Sequence, residues 1–217
     1  MSKPVCYLFI VLIYDIFLLS ASEFYPLDFL IPLLAFLLFA ENKFKVLTWL
    51  LTLDVFLFFV VFSYILNGDF FIAKVVFIRT NLILLLVLSL FLGRNQYFLI
   101  KALYSIKIPQ KLLAVMIINS KLFEELLNQI SKIPNTLQVR GVKVNFSIFT
   151  YRAYANLIGK IIVNGFDRSF EIYSAMRVRG YKGYISFLDM QRANLSEISL
   201  LILTLIAAGF RIYKFVG

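Results

Sequence analysis

Five apolar runs, at about 5–20, 27–40, 44–66, 70–92 and 195–213, are divided by short polar breaks, and a stretch of different character separates the fourth from the fifth. A helix needs about 20 apolar residues to cross the hydrocarbon core of a bilayer. Four of the runs approach or exceed that length. The second is shorter and carries Pro32 near its start, which predicts a tilted or shortened helix paired as a hairpin with the first. Only Lys3 precedes the first run as a charge, and no convincing small-residue cleavage site follows it, so it reads as a retained span and not a signal peptide. Asn67-Gly68-Asp69, between the third and fourth runs, is a turn signal.

Residues 94–192 have a different pattern, with charges recurring every few positions. From Pro109 onward, Leu112, Met116, Asn119, Phe123, Leu126 and Ile130 recur by fours and threes, the spacing of one helical stripe. Pro109 suits the first turn of that helix. Pro134, which has no backbone N–H, predicts a kink or restart. A second helix is expected over about 147–179, with Tyr154, Ile158, Ile161, Phe170, Tyr173 and Met176 apolar and Gly159 and Gly165 placed to let another helix cross closely.

Composition fixes the class. Hydrophobic residues make up 61% of the 217, with mean hydropathy +0.88, against about 45–50% in soluble domains. The chain is therefore read as an integral membrane protein. There is no histidine, and Cys6 is the one cysteine, so clusters of those residues cannot hold a metal and no internal disulfide forms. Cys6 is expected to face lipid or a neighbouring helix. The chain has no G-x-x-x-x-G-K-[ST] phosphate loop and no G-x-S-x-G phrase, which leaves no sign of ATP hydrolysis or nucleophilic catalysis and no cofactor to assign.

The net charge of +10 lies wholly in residues 94–192, which hold 15 Lys and Arg against 5 Asp and Glu. Positive segments stay on the cytoplasmic side. Lys3, Lys43, Lys45 and Arg94 then share that side, and Glu23, Asp28 and Asp69 the other. The fold class expected is all-α: a polytopic membrane protein with about five spans and a cytoplasmic domain of long crossed amphipathic helices. Its domains are 1–93 (four spans), 94–192 (cytoplasmic) and 193–217 (a last span). Arg211 and Lys214 then fall on the outer side and are expected to snorkel to the interface. The basic segment fits anionic lipid or an acidic protein partner; it carries no nucleic-acid-binding motif.

One short phrase occurs twice: Leu137-Gln138-Val139-Arg140-Gly141 and Met176-Arg177-Val178-Arg179-Gly180. Arginine offers a planar fork of donors that fits carboxylates, and near a helix C-terminus it also meets the negative end of the dipole. Gly141 and Gly180 suit the left-handed residue that ends a helix. A single copy is ordinary helix capping. Two copies, each on an amphipathic helix of the basic segment, point to matched docking tips.

With these residues the chain resembles the T component of energy-coupling factor (ECF) transporters, the family of cobalt and nickel permease subunits and of the shared vitamin-uptake scaffold. The resemblance is carried by Ala102-Leu103 through Ile108-Pro109, by 137–141, by Phe166-Asp167-Arg168-Ser169, and above all by Ser174-Ala175-Met176-Arg177-Val178-Arg179-Gly180-Tyr181. It implies that each phrase ends a coupling helix and that its arginine enters an acidic groove on an ATP-binding subunit, Arg140 on one and Arg179 on the other. Val139 and Val178 stand where the family usually has alanine. Pro109, Ala175, Met176 and Tyr181 would support the coupling helices. The implied partners are two ABC-type ATPase subunits, a substrate-binding S component and the bilayer, with the apolar stripes of both helices packing against each other and against the S component. The substrate, a vitamin or a transition-metal ion, would be held by the S component and not by this chain.

Asp15 and Asp54 fall inside apolar runs, where acids are costly and often functional. They support a rival reading as a proton-linked carrier that works alone, with Arg79 a conceivable partner of Asp54. Another rival is a non-transport scaffold for acidic partners. Glu124, Glu125, Asp167 and Glu171 read as solvated faces with pairs along the same helix.

Overall fold

A computed structural model describes residues 2–19, 24–139, 147–183, 187 and 193–216. Among these residues the structure is helical. Each of the five apolar runs forms one helix: α1 (Lys3–Leu19), α2 (Pro26–Phe39), α3 (Lys43–Leu66), α4 (Phe70–Phe91) and α9 (Leu195–Val216). A short α5 (Tyr97–Ser105) follows α4; then come α6 (Gln110–Ile130), α7 (Ile133–Val139) and α8 (Ile148–Val178). The chain divides into two compact units, residues 1–106 with 188–217, and residues 107–187. The short helix after Arg94 therefore packs in the first unit.

In the first unit, α3 and α4 are long and apolar enough to cross a membrane by length and composition; α2 is equally apolar but shorter, at 14 residues. Trp49, Phe56, Phe58, Phe59, Phe62, Phe70 and Phe71 are all exposed on the α3–α4 hairpin. A soluble core helix would bury such side chains, so this surface suits lipid. Gly68 makes the hairpin turn at φ +85°, a backbone region open to glycine at no steric cost. The hydroxyls of Thr48 and Thr52 donate to the carbonyls of Phe44 and Thr48, four residues back, which satisfies them within the helix.

The core of this unit forms around α1. Tyr7, Ile10, Tyr14 and Leu18 of α1 pack with Ile31 and Ala35 of α2, Leu82, Leu86 and Leu90 of α4, and Leu200 and Ala207 of α9. Cys6 is buried in the same cluster, against neighbouring helices. Lipid tails are as apolar as these side chains, so contact density and polar bonds hold the helices together more than exclusion from water does.

Pro32 in α2 shows how such a bond arises. Lacking an N–H, it leaves the carbonyl of Asp28, four residues earlier, without its helical donor. The Tyr14 hydroxyl of α1 donates to that carbonyl at 2.8 Å. The Asp28 carboxylate accepts from the Tyr25 backbone N–H at 2.8 Å and from Arg211 of α9 at 3.1 Å. The Arg211 guanidinium also lies 4.5 Å from the Phe17 ring centroid and 5.4 Å from that of Tyr25. Two expectations are corrected here. Asp28 is not a loop charge but is 1% exposed, because it caps the start of α2. Arg211 does not snorkel, because a buried carboxylate and two aromatic faces hold it. Glu23 and the side chain of Lys214 lie outside the described residues.

In the second unit, α6 crosses α8, and α7 packs on α8 through buried Ile133 and Leu137. Pro134 stands one residue into α7, so the helix restarts there. Pro109 stands at the N-cap of α6, one residue earlier than expected, and its carbonyl accepts from the N–H groups of Leu112 and Leu113. Ser147 caps α8 by accepting from the Thr150 N–H. Gly165 makes the close crossing: a Cβ there would lie 3.1 Å from Cδ2 of Leu126, whereas Gly159 has nothing within 4 Å. Arg168 pairs with Glu125 at 3.0 Å, between helices and not along α8 as expected. Both side chains are partly exposed, so the pair contributes about 0–1 kcal/mol.

Two tests follow from this packing. Tyr14→Phe leaves the Asp28 carbonyl unpaired and should cost about 1–3 kcal/mol, read as a lower thermal midpoint in detergent. In a Pro32→Ala background the helix regains the missing N–H, and the same substitution should cost less than half as much; equal losses in both backgrounds would disprove the link. Gly159→Ala should stabilise α8 by about 1 kcal/mol through helix propensity and slow its amide exchange. Gly165→Ile should speed exchange in α6 and α8 together, and unchanged rates would show that the crossing does not depend on a small residue.

Candidate functional site

The second arginine phrase closes a helix of 31 residues. At the end of α8 the N–H of Gly180 donates to Arg177 O at 3.1 Å, and that of Tyr181 to Met176 O at 2.9 Å. Gly180 has φ +76°. These two bonds and the left-handed residue form a Schellman ending, which satisfies the last carbonyls and fixes where the helix stops. Arg179 sits at the C-cap, and its N–H donates to Ala175 O. Three of the four supporting residues named from the sequence meet in one motif: Ala175 and Met176 supply carbonyls, and Tyr181 supplies an N–H, whereas Pro109 stands apart at the N-cap of α6.

This ending leaves Arg179 exposed, and Val178 beside it is 90% exposed. A bare β-branched residue next to an always-charged fork has both an apolar and an ionic contact to offer. Arg177, one residue further back, lies 5.9 Å from the Tyr173 ring centroid. At the first phrase, Val139 ends α7 and is 89% exposed. Arg140 and Gly141 lie outside the described residues, so the geometry of the repeat rests on the second copy.

The apolar stripes meet at one place. Leu126 of the α6 stripe lies at the crossing, where a Cβ on Gly165 of α8 would be 3.1 Å from its Cδ2. Elsewhere Leu112, Met116, Phe123 and Ile130 of α6 are exposed, as are Ile158, Phe170 and Tyr173 of α8. Among the described residues, much of both stripes is therefore left bare.

Sequence reasoning missed a buried polar centre in the first unit. Glu197, 1% exposed, lies in the first turn of α9. Its Oε1 accepts from Lys3 Nζ at 2.9 Å and from the Tyr7 hydroxyl at 3.2 Å; its Oε2 accepts from the Asn194 backbone N–H at 3.0 Å. The Tyr7 ring packs on Phe39 and Phe98, with centroids 5.7 and 5.4 Å away, and on the guanidinium of Arg94 at 5.9 Å. Arg94 in turn pairs with Glu41 at 2.7 Å. One local signal was available. Asn194-Leu195-Ser196-Glu197 before an apolar run is a capping-box pattern. The partners Lys3 and Tyr7, at the far end of the sequence, carried no such sign.

Among the described residues, Asp15 and Asp54 each keep one buried carboxylate oxygen with no hydrogen-bond partner. They sit on different helices: α1 packs on α4, α5 and α9, while α3 packs on α4.

No curated protein sequence matches this chain. The sequence model of the CbiQ family, described as cobalt transport protein, matches residues 2–188. That span takes in the apolar hairpins, the crossed amphipathic helices and both arginine phrases, and the chain belongs to the CbiQ cobalt transport protein family.

Proposed function

We propose that the chain is the transmembrane coupling subunit of an ECF-type ABC importer. It passes ATP-driven motion of two ATPase subunits to a substrate-binding S component, for uptake of a transition-metal ion or a vitamin. The observation that carries this reading is the end of α8, where a Schellman motif holds Arg179 and Val178 bare at a fixed helix tip. The repeated phrase assigns Arg179 to one ATPase and Arg140 to the other. The uncovered stripes on α6 and α8 suit an apolar membrane partner, the S component. Family membership favours cobalt among the metals. In this reading five helices span the cell membrane with the N-terminus inside, and residues 107–187 are cytoplasmic.

An arginine fork that pairs with a desolvated carboxylate is hard to replace, because its loss leaves the partner charge uncompensated. Such losses cost about 2–5 kcal/mol, or about 30-fold or more in affinity. Affinity capture of the tagged full-length chain from native membranes should recover two ATP-binding subunits. Arg179→Glu should cut recovery at least tenfold, Arg140→Glu/Arg179→Glu should abolish it, and Arg179→Lys should fall between. If the wild-type chain recovers no ATP-binding subunit in gentle detergent, the reading fails.

The proton-linked carrier is the second reading, and the unpartnered oxygens of Asp15 and Asp54 are the observation in its favour. Transport by the purified chain alone, lost on Asp15→Asn or Asp54→Asn, would establish it over the coupling role.

A further inference from the structure

We propose that residues 2–7, Ser2 and the start of α1, are the anchor that fixes the end of α5 and the start of α9, the helix ends nearest the two chain connections to the second unit, with Lys3, Tyr7 and Glu197 as positioning residues for coupling. The chain leaves the first unit just after α5 and re-enters it at residue 188, ahead of α9. Both helix ends are tied to the same few residues. Ser105, the last residue of α5, has its Oγ 2.9 Å from Ser2 Oγ, and Phe98 of α5 packs on the Tyr7 ring. Asn194 immediately precedes α9 and Glu197 lies in its first turn, where the Glu197 carboxylate accepts from the Asn194 N–H, Lys3 and Tyr7.

The chemistry makes this a stiff joint. A buried carboxylate with an ammonium, a hydroxyl and a backbone N–H around it has few alternative partners in an apolar setting, so the arrangement resists displacement. Lys3 and Tyr7 are one helical turn apart, which places both side chains on one face of α1. Beyond Ser105 the backbone changes abruptly. Lys107, the first residue of the second unit, has φ +62°, a left-handed conformation that a non-glycine residue adopts only under local constraint.

The role in coupling rests on the function proposed above, whereas the anchor itself does not. Lys3→Met leaves the Glu197 charge buried without its cation. Lys3→Arg keeps the cation, and Lys3→Met/Glu197→Gln removes both charges while retaining an acceptor for Asn194.

Amide exchange of the purified full-length chain tests the anchor. Lys3→Met should raise exchange at least fivefold in residues 97–105 and 194–200 together, with Lys3→Arg near wild type and the double variant closer to wild type than Lys3→Met. A rise confined to α9, or no rise, overturns the shared anchor. Capture from native membranes tests the coupling role. Lys3→Met should recover ATPase subunits within twofold of wild type but change the ATP hydrolysis rate of the complex at least threefold, and Lys3→Arg should restore it. Normal hydrolysis by the Lys3→Met complex overturns the positioning role. If the wild-type chain captures no ATPase, the coupling function fails with it, while the exchange result still decides the anchor.

Discussion

A carboxylate buried among apolar helices persists as a charge only where the surroundings replace its water. Glu197 shows how fully this chain meets that condition: an ammonium, a phenol and a backbone N–H occupy its two oxygens. Meeting it draws together residues from opposite ends of the sequence. Through Tyr7 it also recruits Phe39, Phe98 and Arg94, so the ends of α1, α2, α4, α5 and α9 converge on one place. The other end of α9 repeats the solution with the charges exchanged, a buried arginine held by Asp28, Phe17 and Tyr25. The last helix is thus pinned to the first two at both of its ends by ionic contacts. Between those contacts it packs on the apolar face of α1.

The second unit is built on the opposite economy of contact. Its helices meet over a narrow crossing at Gly165, share a partly exposed ion pair, and leave broad apolar faces bare. Large apolar surfaces that the chain itself does not cover are a mark of interaction surfaces. The end of α8 is the exception to this looseness, because the Schellman bonds and Gly180 fix the backbone where Arg179 projects. A rigid tip on an incompletely covered helix pair suits the coupling role proposed above.

Much of this was legible in the sequence because local rules dominate where helices begin and end. The Asn67-Gly68-Asp69 turn, the restart at Pro134, the start of the second long helix near 147 and the glycine stop at Gly180 each depend on residues within one turn of the feature. Gly165 was recognisable as a small residue for a crossing; Gly159, named on the same ground, would have nothing within 4 Å of an added Cβ. What the sequence hid was long-range pairing. Arg211 looked like a residue bound for the interface because its partner Asp28 lies 183 positions away. Glu197 drew no reading because Tyr7 lies 190 positions away. The amphipathic stripe of α6 was read as a stripe, but periodicity does not say what a face will meet: Leu126 meets α8 at Gly165, while Leu112, Met116, Phe123 and Ile130 stay exposed among the described residues.

The hydrogen bond from Tyr14 to the Asp28 carbonyl joins a proline on one helix to a hydroxyl on another. Neither residue has reason to be kept without the other: a chain with an ordinary residue at 32 supplies that carbonyl from its own backbone, and a phenylalanine at 14 would then pack as well as tyrosine. Among relatives, positions 14 and 32 should change in step, and that correlation across an alignment would record a contact between α1 and α2 that hydrophobic patterning alone cannot encode.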